Sequence, residues 1–132
     1  MAAAANIAIY DGQPTPVLRT FVPARKTADV VFWEERDVAA TPLGFARIGI
    51  GRTTPKGTSP VIRTRCTLVW PFEVLDANTG LYSYKDVARM NAEFIMPISA
   101  VEQSRDDAFT VAKNIIAAQV LYDTIVGNNP AY

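Results

Sequence analysis

The chain has no histidine and one cysteine, Cys66. Without imidazole there is no Ser-His-Asp or Cys-His nucleophilic site, no histidine general base and no zinc site with imidazole ligands. A lone cysteine forms no intrachain disulfide, so nothing demands an oxidising compartment. Net charge is missing too. Lys+Arg 13 and Asp+Glu 13 cancel to +0. No global field advertises nucleic acid, and any basic patch must come from segregation of charge between faces. The N-terminal Met1-Ala2-Ala3-Ala4-Ala5-Asn6 lacks the basic start and apolar core of a signal peptide. No apolar run approaches the ~18 residues that cross a bilayer. The chain reads as soluble and intracellular, with no membrane partner.

What is present suits one domain with a core: 132 residues, 49% hydrophobic and 20% charged. The stretch from Asp86 to Tyr132 organises the rest. Arg89, Asn91 and Glu93 alternate with Met90, Ala92, Phe94 and Met96, the period of a strand with one wet and one dry face. Pro97 ends that strand, because it cannot donate to a ladder. Helical spacing follows in Ala108, Val111, Ala112, Ile115 and Ile116, widened by Phe109 and extended by Val120, Leu121, Tyr122, Ile125 and Val126. Asp106, Thr110, Lys113 and Asn114 leave only a narrow wet face. Ser99 with Glu102 and Ser104 with Asp107 both fit a capping box. Gly127 fits the C′ position. The run is one helix, or two with a break near Ala117-Ala118-Gln119. Its apolar sector fits either the core of a monomer or contact with both its own sheet and a partner's.

Upstream, Ile7–Tyr10 and Val17–Val22 flank the turn residues Asp11 to Pro16, which predicts an N-terminal hairpin ended by Pro23, then a polar link from Ala24 to Asp29. Val30–Arg36, Phe45–Thr53 and Val61–Trp70 are strand-like, separated by Thr41-Pro42-Leu43-Gly44 and by a loop from Thr54 to Pro60. Phe72–Leu75 pairs briefly across a loop tip, Asp76 to Gly80, and Tyr82–Lys85 leads into the final strand. Consecutive strands with short connections predict an antiparallel meander, and helix last predicts an α+β fold.

The chemistry of an enzyme is missing. Glu34 and Glu35 diverge as strand neighbours, and Asp106 and Asp107 suit a helix N-terminus. Gly49-Ile50-Gly51 lacks the strand–loop–helix setting of a phosphate loop. Cys66 falls on the apolar face as a small core residue. No cofactor or metal is implied. The polar sheet face is more telling. Arg47, Arg63, Arg65, Arg89 and Asn91 come from three strands, yet parity places them on one side, with Thr53 and Thr67. The acidic start of the helix lies on the other. Arginine grips phosphate bidentately and stacks on bases, and asparagine reads base edges. An open antiparallel sheet also has a solvated polar face with no ligand at all.

At these residues the chain resembles the coat proteins of single-stranded RNA bacteriophages, the levivirus group. Asn129-Pro130-Ala131-Tyr132 matches the end of one branch. Asn91-Ala92-Glu93-Phe94-Ile95-Met96-Pro97-Ile98 resembles the last strand of another, and Trp33 falls on a strand tryptophan of that branch. The resemblance implies a single coat protein domain over residues 1–132, with a hairpin in 1–23, a five-stranded antiparallel sheet in 28–97 and two helices in 99–127. It also implies an intertwined obligate homodimer, sheets joined edge to edge, with Phe94, Phe109, Ala112, Ile115, Ile116, Tyr122 and Ile125 in the interface. Dimers would build an icosahedral shell, assembled in the bacterial host cytoplasm and found in the virion. The loop bearing Asp76, Asn78, Thr79, Gly80 and Tyr82 would line symmetry axes between dimers.

The resemblance further implies that the inner sheet encloses the RNA genome and binds an RNA hairpin, as translational repressor and packaging signal, and that the phage maturation protein is a partner. Asn91 and Glu93 match RNA-contacting positions. Arg89 replaces a base-stacking tyrosine, Val30 borders an adenine pocket, and Arg63 and Arg65 match basic strand positions. Gly49 and Gly51 stand where relatives place hydroxyls, and the register there is open by two residues. A different class of function, a dimeric RNA-binding regulator that forms no shell, is the alternative.

Overall fold

The computed structural model describes residues 4–36, 44–53, 60–72, 74–83, 86–128 and 130. The expected punctuation at Thr41-Pro42-Leu43, the loop from Thr54 to Pro60 except Pro60 itself, the lead-in at Tyr84-Lys85, and Asn129, Ala131 and Tyr132 lie outside them. The chain forms two compact units, Met1–Ile95 and Met96–Tyr132.

The first unit holds β1 (Ile7–Tyr10), β2 (Leu18–Lys26), β3 (Val30–Glu35), β4 (Ala46–Thr53) and β5 (Val61–Pro71). A short pair follows, β6 (Val74–Leu75) and β7 (Tyr82–Ser83), and then β8 (Val87–Pro97), which runs to the edge of the second unit. The six-stranded sheet has the order β1-β2-β3-β4-β5-β8. It is the antiparallel meander expected of short connections. One boundary differs. β2 does not end at Pro23 but continues to Lys26 and pairs with both β1 and β3. β1 reaches only as far as Ile7 opposite Phe21, so Pro23 lies beyond the stretch paired on that side. A bulge between Pro23 and Arg25 accommodates a residue that cannot donate. The hairpin is therefore continuous with the sheet, and the expected polar link is partly strand.

The core sits on the dry face. Trp33, Ile48 and Leu68 oppose one another across β3, β4 and β5, and Phe21, Trp33, Ala46 and Ile48 are buried. The Trp33 Nε1–H donates to the Ala5 carbonyl at 2.8 Å. Glu35, 2% exposed, shares this face with Arg19. Arg19 Nη1 lies 3.5 Å from Glu35 Oε2, Arg19 Nε lies 3.0 Å from Asp11 Oδ2, and the guanidinium sits 5.2 Å from the Trp70 ring centroid. Asp11 also closes the neck of the β1–β2 turn: its carboxylate accepts from the Val17 and Gln13 N–H groups, and its own N–H donates to the Val17 carbonyl. The Val17 bond, ahead of Arg19 and against partial desolvation, holds the Asp11 carboxyl below its usual range.

The second unit contains α1 (Glu102–Ile116) and α2 (Gln119–Ile125), broken at Ala117-Ala118. Neither capping box forms. The N-cap of α1 is Val101, with no side-chain bond, and Asp107 instead accepts from the Gln103 amide at 2.8 Å. Ser99 is spent in the turn after Pro97, where the Ala100 N–H bonds the Pro97 carbonyl. The left-handed residue after α2 is Asn128, φ 55°, one position past Gly127. No helix among the described residues is long and apolar enough to cross a membrane.

Candidate nucleic-acid interface

Strand register decides which side chains share the wet face. Directly opposed residues point to the same side. Gly49 opposes Thr67, Gly51 opposes Arg65, Thr53 opposes Arg63, and Val30 opposes Gly51. Arg47 opposes both Glu34 and Val69. Glu93 of β8 reaches Arg63 and Arg65, so it lies on that face, and the period of two carries Arg89 and Asn91 with it. Arg47, Arg63, Arg65, Arg89, Asn91 and Glu93 are exposed, Val30, Gly51 and Thr67 half-buried, and Gly49 buried. The predicted RNA-facing residues thus come together on one surface of the sheet.

This surface carries its own counterions. Glu93 accepts from Arg63 Nη1 at 2.8 Å and from Arg65 Nη2 at 3.3 Å. Those bonds, Arg63's foremost, hold the Glu93 carboxyl below the usual range. Glu34 lies 3.5 Å from Arg47 Nε and 3.2 Å from Arg36 Nη2. Solvent-facing pairs of this kind are individually weak. A polyanion can therefore displace the carboxylates, with guanidinium forks meeting phosphate oxygens. Glu35 points to the other face, so the adjacent glutamates diverge as expected. No group of three or more His, Cys, Asp or Glu among the described residues could hold a metal.

The two glycines have a geometric cause. A Cβ at Gly49 would lie 2.7 Å from Thr67 Oγ1 and 3.1 Å from the Phe32 ring. At Gly51 it would lie 2.8 Å from Val30 Cγ2 and 3.2 Å from the Asp29 carbonyl. The space where the resemblance puts hydroxyls is occupied by Phe32, Thr67 and Val30. Sequence reasoning missed Phe32 as a wet-face residue and missed Arg25 altogether. The guanidinium of Arg25 lies 4.7 Å from the Phe32 ring centroid.

The apolar candidates divide between the two units. On β8, Ala92, Phe94 and Met96 are half-buried. The dry face of the first unit carries a groove of about 540 Å³, lined by Ile9, Phe21, Ile50, Leu68 and Met90 among others. Cys66 borders it, and burial pushes its thiol pKa up. In the second unit Phe109 is 60% and Ile125 70% exposed, with Ile115, Ile116 and Tyr122 similarly open and Ala112 half-buried. In the β6–β7 loop, Asp76 bonds the Asn78 and Gly80 N–H groups, and Gly80 has φ 69°. Asp76, Asn78 and Thr79 are exposed, and Tyr82 opens β7.

Comparison with known proteins places this arrangement. No curated protein sequence matches the chain. Among solved structures it is similar to the virus-like particle of bacteriophage ESE058, at 26% identity and a TM-score of 0.84, covering 99% of this chain and 100% of that one. It is also similar to the virus-like particle of Beihai levi-like virus 21, at 20% identity and a TM-score of 0.86, with 99% of both chains covered. The capsid protein of bacteriophage GA shares the fold at 12% identity and a TM-score of 0.75, with 95% of both chains covered. The levivirus coat protein family matches over residues 2–132. The chain belongs to that family, whose members are components of the virion capsid and not enzymes.

Proposed function

We propose that this coat protein pairs with a second copy of itself, that the dimers close into an icosahedral shell around single-stranded RNA, and that the arginine-bearing sheet face is turned toward that RNA. The observation that carries this reading is the segregation of its surface. A chain of +0 net charge gathers Arg47, Arg63, Arg65 and Arg89 on one sheet face. Meanwhile Phe109, Ile115, Ile116, Tyr122 and Ile125 are exposed in the single chain. Large apolar areas left in water mark an interaction surface. β8 stands at the end of the strand order and spans Val87–Pro97, a long edge that pairing with a second copy would cover. The solved relatives named for virus-like particles support assembly into shells. In the shell, the β6–β7 loop meets neighbouring dimers and the phage maturation protein completes the particle.

The same wet face binds an RNA hairpin, repressing translation and marking the genome for packaging. Asn91 offers an amide to base edges, while Arg63, Arg65 and Arg89 supply phosphate contacts. Expression of the chain alone, electron microscopy and extraction of nuclease-protected contents test the proposal. Closed particles holding RNA are expected. Only soluble monomers or dimers, across buffers and with RNA added, would defeat the shell. Uniform dimers that bind one hairpin would make the protein a regulator instead.

A further inference from the structure

Phe32 is an anomaly on the wet face. Its neighbours there are Val30, Glu34, Arg47 and Thr67, yet its large ring is only half-buried. The ring is held from two sides. Gly49, directly opposite, has no side chain, and a Cβ there would meet the ring at 3.1 Å and 3.2 Å. On the other neighbouring strand Arg25, opposite Phe32, lays its guanidinium over the ring at 4.7 Å from the centroid. Arg25 is itself exposed. Its position is set by the bulge after Pro23, which turns it to the wet face. Arg25, Phe32, Gly49 and Thr67 form one row across β2 to β5. Three strand spacings, about 14 Å, separate the ends of that row. Arg65 and Arg63 follow Thr67 at every second residue of β5, on the same face.

Resting on the proposed RNA face, we infer that Arg25, held over the Phe32 ring, is a stacking platform for an unpaired RNA base, while Arg65 and Arg63 hold phosphate about 16–20 Å away. A guanidinium plane is a recognised partner for a splayed base. Here the contact with the ring beneath holds it in place before the RNA arrives. A cation over a ring is attracted to its face, so the platform costs little to hold. The base stacks on the outer surface of Arg25, and its ribose-phosphate continues across the sheet toward β5. The ligand is a single-stranded nucleotide of any base, since every base presents a π-face. Phe32 and Gly49 are positioning residues, and Arg25 makes the contact.

The test compares a short oligouridylate with an abasic ribose-phosphate of the same length, each titrated into the unassembled protein at low salt. The parent is expected to prefer the oligouridylate by roughly 5- to 150-fold for one stacked base. Arg25→Lys keeps the charge and loses the plane. It should lose the preference while binding the abasic strand as the parent does. Arg25→Ala should do the same, with a small further loss on both strands. Arg63→Ala with Arg65→Ala should weaken both strands equally and leave the preference in place. If Arg25→Lys retains the preference, Arg25 is not the platform and the inference falls. If the parent binds both strands equally, no base is stacked and the inference falls while the RNA face stands. If the parent binds neither strand, the RNA face falls and takes the platform with it.

Discussion

Gly49→Ala offers the sharpest test of the wet face's packing. The new methyl would meet Thr67 Oγ1 at 2.7 Å and the Phe32 ring at 3.1 Å and 3.2 Å. The Thr67 hydroxyl can turn aside, but the ring is trapped between Gly49 and Arg25. Overpacking of this kind costs about 1–3 kcal/mol. Replacing glycine by alanine returns about 0.4–1 kcal/mol by narrowing the unfolded ensemble. The net expectation is about 1–2 kcal/mol of destabilisation. For a chain of this size that corresponds to a fall in Tm of about 4–8 °C. Thermal and urea unfolding at one fixed protomer concentration measure it, since self-association shifts apparent stability. The decisive arm is the cycle with Phe32→Val. Removing the ring opens the space, so Gly49→Ala should cost less in that background, with a coupling of about 1 kcal/mol. Equal cost in both backgrounds, or no cost in either, would refute the claim that Phe32 excludes a side chain at Gly49.

Four further outcomes are expected. Glu93→Gln releases Arg63 and Arg65 to phosphate. The two exposed pairs, individually weak, no longer have to be broken, so the variant should bind RNA about 2- to 30-fold more tightly than the parent at the same salt, and equal affinities would refute the competition. Acid acts on the parent in the same sense. The Glu93 pKa is lowered on folding, so its stabilisation is complete above the ordinary value of 4.5 and is lost as pH falls through the lowered one. Parent affinity for RNA should climb toward the variant's on that descent, and parallel titrations that never converge would argue against it. Ile115→Asp places a charge on the exposed apolar surface of α1, where a partner would bury it at a cost on the order of several kcal/mol. Light scattering should show monomers and no particles, and a normal dimer would exclude α1 from the interface. Arg19→Met takes the guanidinium from Glu35, which is 2% exposed. A loss of about 1.5–3 kcal/mol is expected in urea unfolding, and a change under about 0.5 kcal/mol would mean the pair contributes little.

The alternation of Arg63, Arg65 and Thr67 against Cys66, Leu68 and Trp70 was legible because one face of β5 is dry and a strand has a period of two. Arg89, Asn91 and Glu93 were legible for the same reason, while the residues alone left one helix or two open near Ala117-Ala118-Gln119, and the structure breaks there. Arg25 was invisible because Pro23 reads as the end of the strand and leaves Arg25 in a polar link, whereas β2 runs on to Lys26 through a bulge that also resets the period. Counting by twos from Phe21 sends Arg25 to the dry face, whereas pairing with Phe32 puts it on the wet one. The caps of α1 were misread because Ser99 and Ser104 carry suitable side chains, but the helix begins after Val101. Gly49 and Gly51 stood out as unusual in a strand. The cause, a phenylalanine and a valine on the next strand, depends on a register that one sequence does not reveal. The ion pairs of Glu93 are of the same kind, since they join residues 28 and 30 positions apart.

The clasp that Asp11 makes has a practical side. Its carboxylate and its own N–H tie the chain on both sides of the turn, at Gln13 and Val17, and its salt bridge to Arg19 anchors that tie to the core face of β2. Gly12 to Pro16 therefore leave and rejoin the sheet at a neck already fastened, with exposed side chains between. Lengthening a loop whose ends are pinned adds only about 0.6 kcal/mol of closure cost per doubling. A foreign peptide spliced between Gln13 and Pro14 would begin and end at this fastening, making the turn a graft point at which cargo can be carried without disturbing the strand register beneath it.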